Sequence, residues 1–191
     1  ATPVVNAYAD ILADLLKEHN PQIEIRKPKY RFSNSVDIDN ASAFLGKGIF
    51  RAVGGYAQDI LSLNLRKAWA RTRCIFLGEP DPFDTFDFVL GLQEKYKFQT
   101  IYFALFGRMG QYDRSLTRYS GRLQRYLKGI ADFCEMGLHP SYRSNENIEW
   151  LEEELNALQR VLKKDIKKSR QHFLKLSFPI TYRNLLQLEV S

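Results

Sequence analysis

Two aspartates at the end of a predicted strand, Asp37 and Asp39, are residues whose type and spacing could do chemistry. Side chains two positions apart on an extended strand point to the same side, so the two carboxylates would lie next to each other. In one interpretation, one carboxylate binds a metal ion and the other acts as a general base. In the alternative, Asp39 and Asn40 cap the following helix and Asp37 is exposed to solvent.

His139 and Arg170 lie at two further predicted strands. A neutral imidazole is a common zinc ligand, although a single histidine can equally be structural. No HxxxH or HExxH spacing supplies another ligand near His139. Arg170 could pair with Asp37 and keep it ionised, because a nearby opposite charge favours the carboxylate form. The alternative is that Arg170 ends a basic, solvated turn.

The elements that carry these side chains alternate between strands and helices. Alternation and continuous apolar runs predict strands at 32–39, 100–106 and 134–139, with a fourth around 170–174. Short strands joined by helices cannot pair as hairpins, so they form parallel βαβ units with right-handed crossovers. The sequence therefore predicts an α/β fold, either a barrel or an open parallel sheet, with reactive groups at the carboxyl ends of the strands.

Helical spacing of apolar residues predicts the helices, at 5–16, 41–53, 56–74, 84–95, 123–133, 145–162 and 180–188. Gly54-Gly55 is expected to separate the second helix from the third. Asp84 is expected to cap the fourth helix, and Ser144 or Asn145 the sixth.

The composition is typical of a folded domain. Of the 191 residues, 45% are hydrophobic and 13% aromatic, which excludes a disordered chain and allows a sizeable core. This length fits one domain, over residues 30–191, after an N-terminal helix and linker over residues 1–29. No apolar run approaches the roughly 18 residues that span a bilayer, and we expect no signal peptide within these residues. We expect no membrane insertion, and a location that is either cytoplasmic or not specified by the sequence.

The cysteines and the charge distribution indicate which kinds of ligand and partner the chain is expected to lack. Cys74 and Cys134 form neither a CxxC metal motif nor a disulfide framework, so both are expected to be free thiols. The net charge of +6 permits attraction to polyanions, but the cations are scattered apart from the run at 163–170. Nucleic-acid binding needs clustered cations together with stacking aromatics or an element that enters a groove. We therefore expect no nucleic-acid partner.

Three segments, taken in order, resemble the motifs of the polysaccharide deacetylase family, the NodB-homology enzymes similar to carbohydrate esterase family 4. Ser35–Asn40 is similar to the first motif in its divergent Asp-x-Asp form. Gly137–Tyr142 is similar to the second motif, which opens with a histidine, and Ser169–His172 to the third. The resemblance extends over about residues 30–190, and the order of the three motifs, more than any one of them, makes it specific.

This resemblance implies a deformed (β/α) barrel that removes N-acetyl, or sometimes O-acetyl, groups from the sugars of a poly- or oligosaccharide. It implies that Asp37 is the general base and that Arg170 orients it. It also implies that Asp39 and His139 bind a divalent cation, usually zinc, which polarises the acetyl carbonyl and makes a water more acidic.

The sequence departs from the family pattern in three places. The second motif normally has another histidine four residues after the first, where this chain has Arg143, so Ser141, Ser144, His172 or water would have to complete the metal shell. A long helical insertion follows the first motif. The chain also stops at Ser191, before the acetyl pocket and the catalytic-acid histidine of the family, so we expect an incomplete barrel and poor hydrolysis by this fragment. The alternative function is a catalytically inactive carbohydrate-binding relative of the same fold.

Overall fold

The computed structural model describes residues 3–26, 29–113 and 116–190. The chain divides into two compact units, residues 1–32 and 33–191. Helix α1 (Val4–His19) belongs to the first unit, and all other elements belong to the second. Along the described residues, none of the helices has both the length and the apolar character that a membrane crossing requires.

Strands and helices alternate through the second unit. Its strands are β1 (Ser33–Ile38), β2 (Gln99–Leu105) and β3 (Glu135–His139). Its helices are α2 (Ile49–Leu61), α3 (Leu65–Phe76), α4 (Phe86–Tyr96), α5 (Gly121–Phe133), α6 (Ile148–Leu162) and α7 (Ile180–Gln187). Two single turns of 3-10 helix lie at Ser144–Glu146 and His172–Leu174.

The three strands form a parallel sheet in the order β1-β2-β3. Ile38 pairs with Ala104, and Leu105 pairs with His139, so the carboxyl ends of all three strands reach the same edge of the sheet. Each connection contains at least one helix, which parallel pairing requires. The predicted α/β class with parallel strands is confirmed, whereas the three described strands do not by themselves close a barrel.

The hydrophobic core lies between one face of this sheet and helices α5 and α6. Tyr102, Ala104 and Leu138 of the strands belong to this buried cluster. Residues at helical spacing on the two helices complete it, among them Leu123, Leu127, Ile130, Leu151, Leu155 and Leu158. Because side chains alternate along a strand, the odd-numbered residues, including Asp37 and His139, point to the opposite face.

A glycine opens that opposite face next to one of the predicted site residues. Gly137 pairs with Phe103 in the sheet, and a Cβ at Gly137 would lie 2.5 Å from the Phe103 ring and 3.0 Å from the backbone oxygen of Lys168. The Phe103 ring also carries the guanidinium of Arg170, 4.5 Å from the ring centroid. Because Gly137 has no side chain, the Phe103 ring fits against it and can lie under the guanidinium of Arg170.

The prediction that Gly54-Gly55 breaks a helix is wrong. Helix α2 runs through both glycines, and the break falls at residues 62–64, where the Asn64 side chain caps α3. A Cβ at Gly55 would lie 2.5 Å from Nη1 of Arg71 in α3, and Arg71 donates to the buried carboxylate of Asp59 at 2.7 Å. The glycine thus serves the close packing of two helices, which overrides its weak helix propensity.

The predicted fourth strand is also wrong. Ser169 forms only an isolated parallel bridge to Leu138, and the chain then turns through the 3-10 segment that starts at His172. The φ angle of Phe173 is 57°, in the left-handed region, which an extended strand excludes. The bridge still holds Arg170 beside β3, because the Arg170 N–H donates to the Leu138 carbonyl at 3.0 Å.

Two predicted helix caps lie at neighbouring residues instead. Asn147 caps α6 by accepting the Trp150 N–H at 3.0 Å, whereas Ser144 and Asn145 lie in the preceding 3-10 turn. Helix α4 follows Thr85 and not Asp84. Serine, threonine, asparagine and aspartate are all favoured at the cap position. Where several of them follow one another, the sequence alone predicts the first residue of a helix only to within a few positions.

Candidate metal centre and catalytic carboxylate

Asp39, His139 and His172 converge at the carboxyl edge of the sheet. Asp39 directly follows β1, His139 ends β3, and His172 starts the turn after the bridge to β3. One oxygen of Asp39 lies 3.3 Å from Nε2 of His139 and 3.9 Å from Nε2 of His172. Potential ligand atoms of all three residues lie within 4.8 Å of one another. These three residues are called the cluster below.

The donor set of the cluster fits a divalent metal ion. Two imidazole nitrogens and one carboxylate oxygen are typical ligands of catalytic zinc, with the remaining position left to water or substrate. His139 and His172 are buried, whereas the Asp39 side chain is 56% exposed. The cluster is therefore fixed on its protein side and open on its solvent side, as a site that admits a substrate must be.

Each histidine is held through the ring nitrogen that does not face Asp39. Nδ1 of His139 donates to the backbone carbonyl of Arg170 at 2.5 Å, and Nδ1 of His172 lies 2.9 Å from Oδ1 of Asp113. A carbonyl and a carboxylate accept hydrogen bonds, so Nδ1 carries a proton in both rings and Nε2 is the atom left for a metal ion.

The electrostatics of the cluster favour a negative charge on Asp39. Its hydrogen-bond contact with His139 lowers the pKa of the Asp39 carboxyl, and the charges of His139 and His172 add to this, although partial burial opposes it. A cation bound between these residues would favour the ionised carboxylate in the same way.

Asp37 lies on the same side of β1 and pairs with Arg170. Nη1 of Arg170 donates to Oδ1 of Asp37 at 2.9 Å, and Nη2 donates to the hydroxyl of Ser35 at 2.6 Å. The side chains of Asp37 and Arg170 are 33% and 34% exposed, so solvent reaches the pair. Arg170 links this pair to the cluster, because its side chain holds Asp37 while its carbonyl holds His139.

Ser141 and Ser144, two predicted candidates for ligands or substrate contacts, are engaged with a buried carboxylate of α6. Ser141 donates to Glu154 from its hydroxyl at 2.6 Å and from its backbone N–H at 2.9 Å. The Ser144 hydroxyl donates to the Ser141 carbonyl at 2.8 Å. Burial raises the pKa of Glu154, and the hydrogen bonds from Ser141 oppose that rise.

Arg143 occupies the position at which the resembled family has its second histidine. Its guanidinium lies over the Trp150 ring of α6, 5.9 Å from the ring centroid. The second imidazole of the cluster instead comes from His172, which the sequence offered as one of several candidates.

Sequence reasoning missed the buried Asp113, in the polar loop between β2 and α5. Besides its contact with His172, Oδ1 of Asp113 accepts the backbone N–H of Tyr142 at 3.0 Å. These partners are 59 and 29 residues away along the chain, so no local pattern indicates the pairing.

Asp81 was missed for the same reason. It accepts hydrogen bonds from the Ser42 hydroxyl at 2.5 Å and from the backbone N–H groups of Ala43 at 2.7 Å and Phe44 at 3.0 Å. Burial alone would raise the pKa of Asp81, but these bonds lower it to about 2. The carboxylate therefore clamps the segment after Asp39 to the loop before α4.

A cavity of about 370 Å³ opens beside Asp37 and Asp39. Its walls include the aromatic rings of Phe83, Tyr102 and Tyr126. Mostly apolar walls with a few polar groups are typical of small-molecule sites.

Comparison with known proteins leaves the function to be argued from this geometry. No model of a known protein family matches the chain, and no curated protein matches it significantly. The fold is similar to the Xyl-CE4 domain of a multidomain xylanase from the hindgut metagenome of Trinervitermes trinervoides, with a TM-score of 0.39 and 18% identity over 56% of this chain. The match spans about half of that domain, 49% of its length.

A second similar structure is IcaB from Ammonifex degensii. Its TM-score is 0.43 and its identity 12%, over 85% of this chain and 82% of IcaB. Both TM-scores are below 0.5, so neither similarity assigns a function to this chain.

Proposed function

We propose that the domain over residues 30–191 is a polysaccharide-deacetylase-like hydrolase. It would remove acetyl groups, mainly N-acetyl, from the sugars of a poly- or oligosaccharide in a metal-dependent reaction. The observation that carries this proposal is the position of Asp39 within 3.3 Å of His139 and 3.9 Å of His172, beside an Asp37 that Arg170 holds at 2.9 Å. The order of the three sequence motifs supports an acetylated sugar as the substrate.

Hydrolysis of an acetamide needs a polarised carbonyl and a water that can lose a proton. Asp39, His139 and His172 would hold the divalent cation, for which zinc suits the two nitrogens and one oxygen best. The cation would supply the Lewis acidity that polarises the carbonyl and makes the water acidic.

Asp37 would accept the proton of the attacking water. The guanidinium of Arg170 stabilises the negative charge that a base needs and fixes the direction of the carboxylate through Oδ1. Ser35 and the Phe103 ring in turn hold the guanidinium, so the base is positioned before substrate arrives.

A catalytically inactive carbohydrate-binding relative is the second candidate, and Arg143 favours it. Where the resembled family has a histidine, this side chain lies over Trp150. This candidate predicts no acetate release even when sugar is bound.

The test begins with the metal. The purified chain is incubated with Zn²⁺, dialysed and analysed for metal content, and one equivalent per chain is expected. Acetate release is then measured on a panel of N- and O-acetylated saccharides with a chain extended beyond Ser191, because poor hydrolysis is expected of residues 1–191 alone. Asp37→Asn in the same extended chain is the matched variant that should bind metal without turnover. A parent protein that takes up no metal overturns the metal-dependent proposal, and full metal occupancy of the extended chain without acetate release from any saccharide favours the inactive relative.

A further inference from the structure

His172 reaches the cluster from an unusual backbone position. It starts the single turn in which Phe173 has a φ of 57°. It is far along the chain from the residues that directly follow His139. Its ring packs against the rings of Phe173 and His139, at centroid distances of 4.3 and 4.8 Å. Such ring contacts restrain the plane of the imidazole but do not distinguish its two nitrogens. A further group must decide which nitrogen faces Asp39.

Asp113 contacts the nitrogen of His172 that points away from Asp39. Its Oδ1 lies 2.9 Å from Nδ1 of His172, and Asp113 and His172 are 3% and 6% exposed. Asp113 is itself fixed, because its backbone carbonyl accepts the Gly110 N–H at 3.1 Å and its Oδ1 accepts the Tyr142 N–H at 3.0 Å. The carboxylate is therefore a rigid acceptor placed behind the imidazole.

We propose that Asp113 is a positioning residue that aims Nε2 of His172 at the metal position, a role that rests on the proposed metal site. The carboxylate keeps the proton of His172 on Nδ1 and makes the opposite nitrogen a stronger donor to a cation. Among the described residues it forms no hydrogen bond or ion pair with Asp39 or Asp37, so its contact with the cluster is through His172.

The same carboxylate also joins the two segments that supply the histidines. Tyr142 follows His139 by three residues, and Oδ1 of Asp113 holds its N–H while it holds the ring of His172. Asp113 thus sets the spacing between the segment after β3 and the turn at His172. Loss of the carboxylate would both free the ring and loosen that spacing.

The first test measures metal affinity of the full chain with Asp113→Asn and Asp113→Ala. Competition with a chromophoric chelator gives the Zn²⁺ affinity, and the visible spectrum of the Co²⁺-loaded protein reports the ligand geometry. Loss of a carboxylate behind a ligating histidine weakens binding by about 10- to 100-fold, which we expect for Asp113→Ala. Asp113→Asn should lose less, because its amide oxygen still accepts a hydrogen bond. Parent-like affinity and an unchanged Co²⁺ spectrum in both variants would overturn the proposal.

Glu154→Gln is the matched control. Glu154 is another buried carboxylate in the same part of the fold, and it accepts hydrogen bonds from Ser141 in the segment after β3, whereas Asp113 contacts a histidine. We expect Zn²⁺ affinity and Co²⁺ spectrum like those of the parent. An equal loss of affinity in Glu154→Gln would mean that any loosening of the segment has this effect, and the specific role of Asp113 would be refuted.

A second test needs no metal and separates this inference from the proposed function. Long-range ¹H–¹⁵N NMR of the metal-free parent identifies which nitrogen of His172 is protonated, and we expect Nδ1. In Asp113→Asn, a share of His172 should move to the other tautomer. If His172 in the parent is protonated solely on Nε2, the proposed role of Asp113 is refuted. If the parent has the expected tautomer but binds no metal, only the proposed metal site is refuted.

Discussion

Asp37 near the end of β1 and Asp39 directly after it have different neighbours, although they are only two residues apart. Asp37 contacts a guanidinium at 2.9 Å, which fixes the direction of its carboxylate. Asp39 faces two imidazoles, which together with its own oxygen make a set of metal ligands. The proposed division of roles, with Asp37 as base and Asp39 as metal ligand, therefore rests on Arg170, His139 and His172.

This division predicts opposite behaviour of two variants. Asp39→Ala should lower Zn²⁺ affinity, because it removes one of the three donors of the cluster. Asp37→Asn should bind Zn²⁺ like the parent and lose turnover, because an amide does not accept the proton of a water. Metal content after dialysis measures the first effect, and acetate release by the chain extended beyond Ser191 measures the second. Equal metal uptake by Asp39→Ala and the parent would refute the assignment.

The variant Arg170→Lys tests the role of the Arg170 side chain separately from the role of its backbone carbonyl. The carbonyl that holds His139 remains in any variant at this position, so metal affinity should stay unchanged. A lysine cannot hold both Asp37 and Ser35 with a planar fork, so the base is less well aimed and acetate release should fall by about 10- to 100-fold. Turnover equal to that of the parent would show that the orientation of Asp37 does not depend on the guanidinium.

At the scale of elements, a buried carboxylate ties the segment that leaves β1 to the loop that precedes α4. Asp81 accepts hydrogen bonds from Ser42, Ala43 and Phe44, three to five residues after Asp39. The long insertion of α2 and α3 lies between these two segments, so the clamp keeps the strand end in place independently of the length of the insertion.

Asp81→Asn should destabilise the fold by about 2 kcal/mol at neutral pH. The pKa of Asp81 is lowered from 3.8 to about 2 in the folded state, so its contribution is complete above the unfolded value and is lost as the pH falls toward 2. Urea unfolding at pH 7 and at pH 3 measures this, and the difference between parent and variant should shrink at the lower pH. Asp84→Asn, at an exposed position nearby, is the control and should change little. A pH-independent difference would contradict the assignment.

At the scale of the whole molecule, the cluster joins three distant parts of the chain. Asp39 follows β1, His139 ends β3 and His172 lies in the turn beyond the bridge, so a metal ion bound to all three would cross-link these segments in the folded state. The unfolded chain does not assemble these ligands, and metal binding therefore adds to the free energy of unfolding.

Metal removal should lower the thermal stability of the protein. A free Zn²⁺ concentration of one hundred times Kd adds about 2.7 kcal/mol, which corresponds to a rise in Tm of roughly 5–10 °C for a chain of this size. Thermal melts with chelator and with excess Zn²⁺ measure the difference, and Asp39→Ala should show a smaller one. The same Tm under both conditions for the parent would contradict a metal site that spans the three segments.

The sequence predicted the parts of the site that follow from regular structure. Alternation predicted that Asp37 and Asp39 lie on one side of a strand, but β1 ends at Ile38 and Asp39 follows it. The parallel α/β order predicted that Asp39, His139 and Arg170 lie at one edge, because strands that are linked by helices cannot pair as hairpins. The contacts of His139 with Asp39 and with the Arg170 carbonyl agree with that placement, although the predicted fourth strand is reduced to a bridge at Ser169.

Only the tertiary structure decided how the cluster is completed and supported. His172 enters through a left-handed turn, and Asp113 meets it across 59 residues. Helix α2 continues through Gly54 and Gly55, and Arg71 packs closely against Gly55. These contacts depend on the distances between side chains that folding brings together, and such distances leave no period in the sequence. The amino-acid sequence therefore determined the types of chemical group and the edge at which they gather, because strand periodicity is a local property. The partner of each group was decided by packing, which depends on residues that are distant in the sequence.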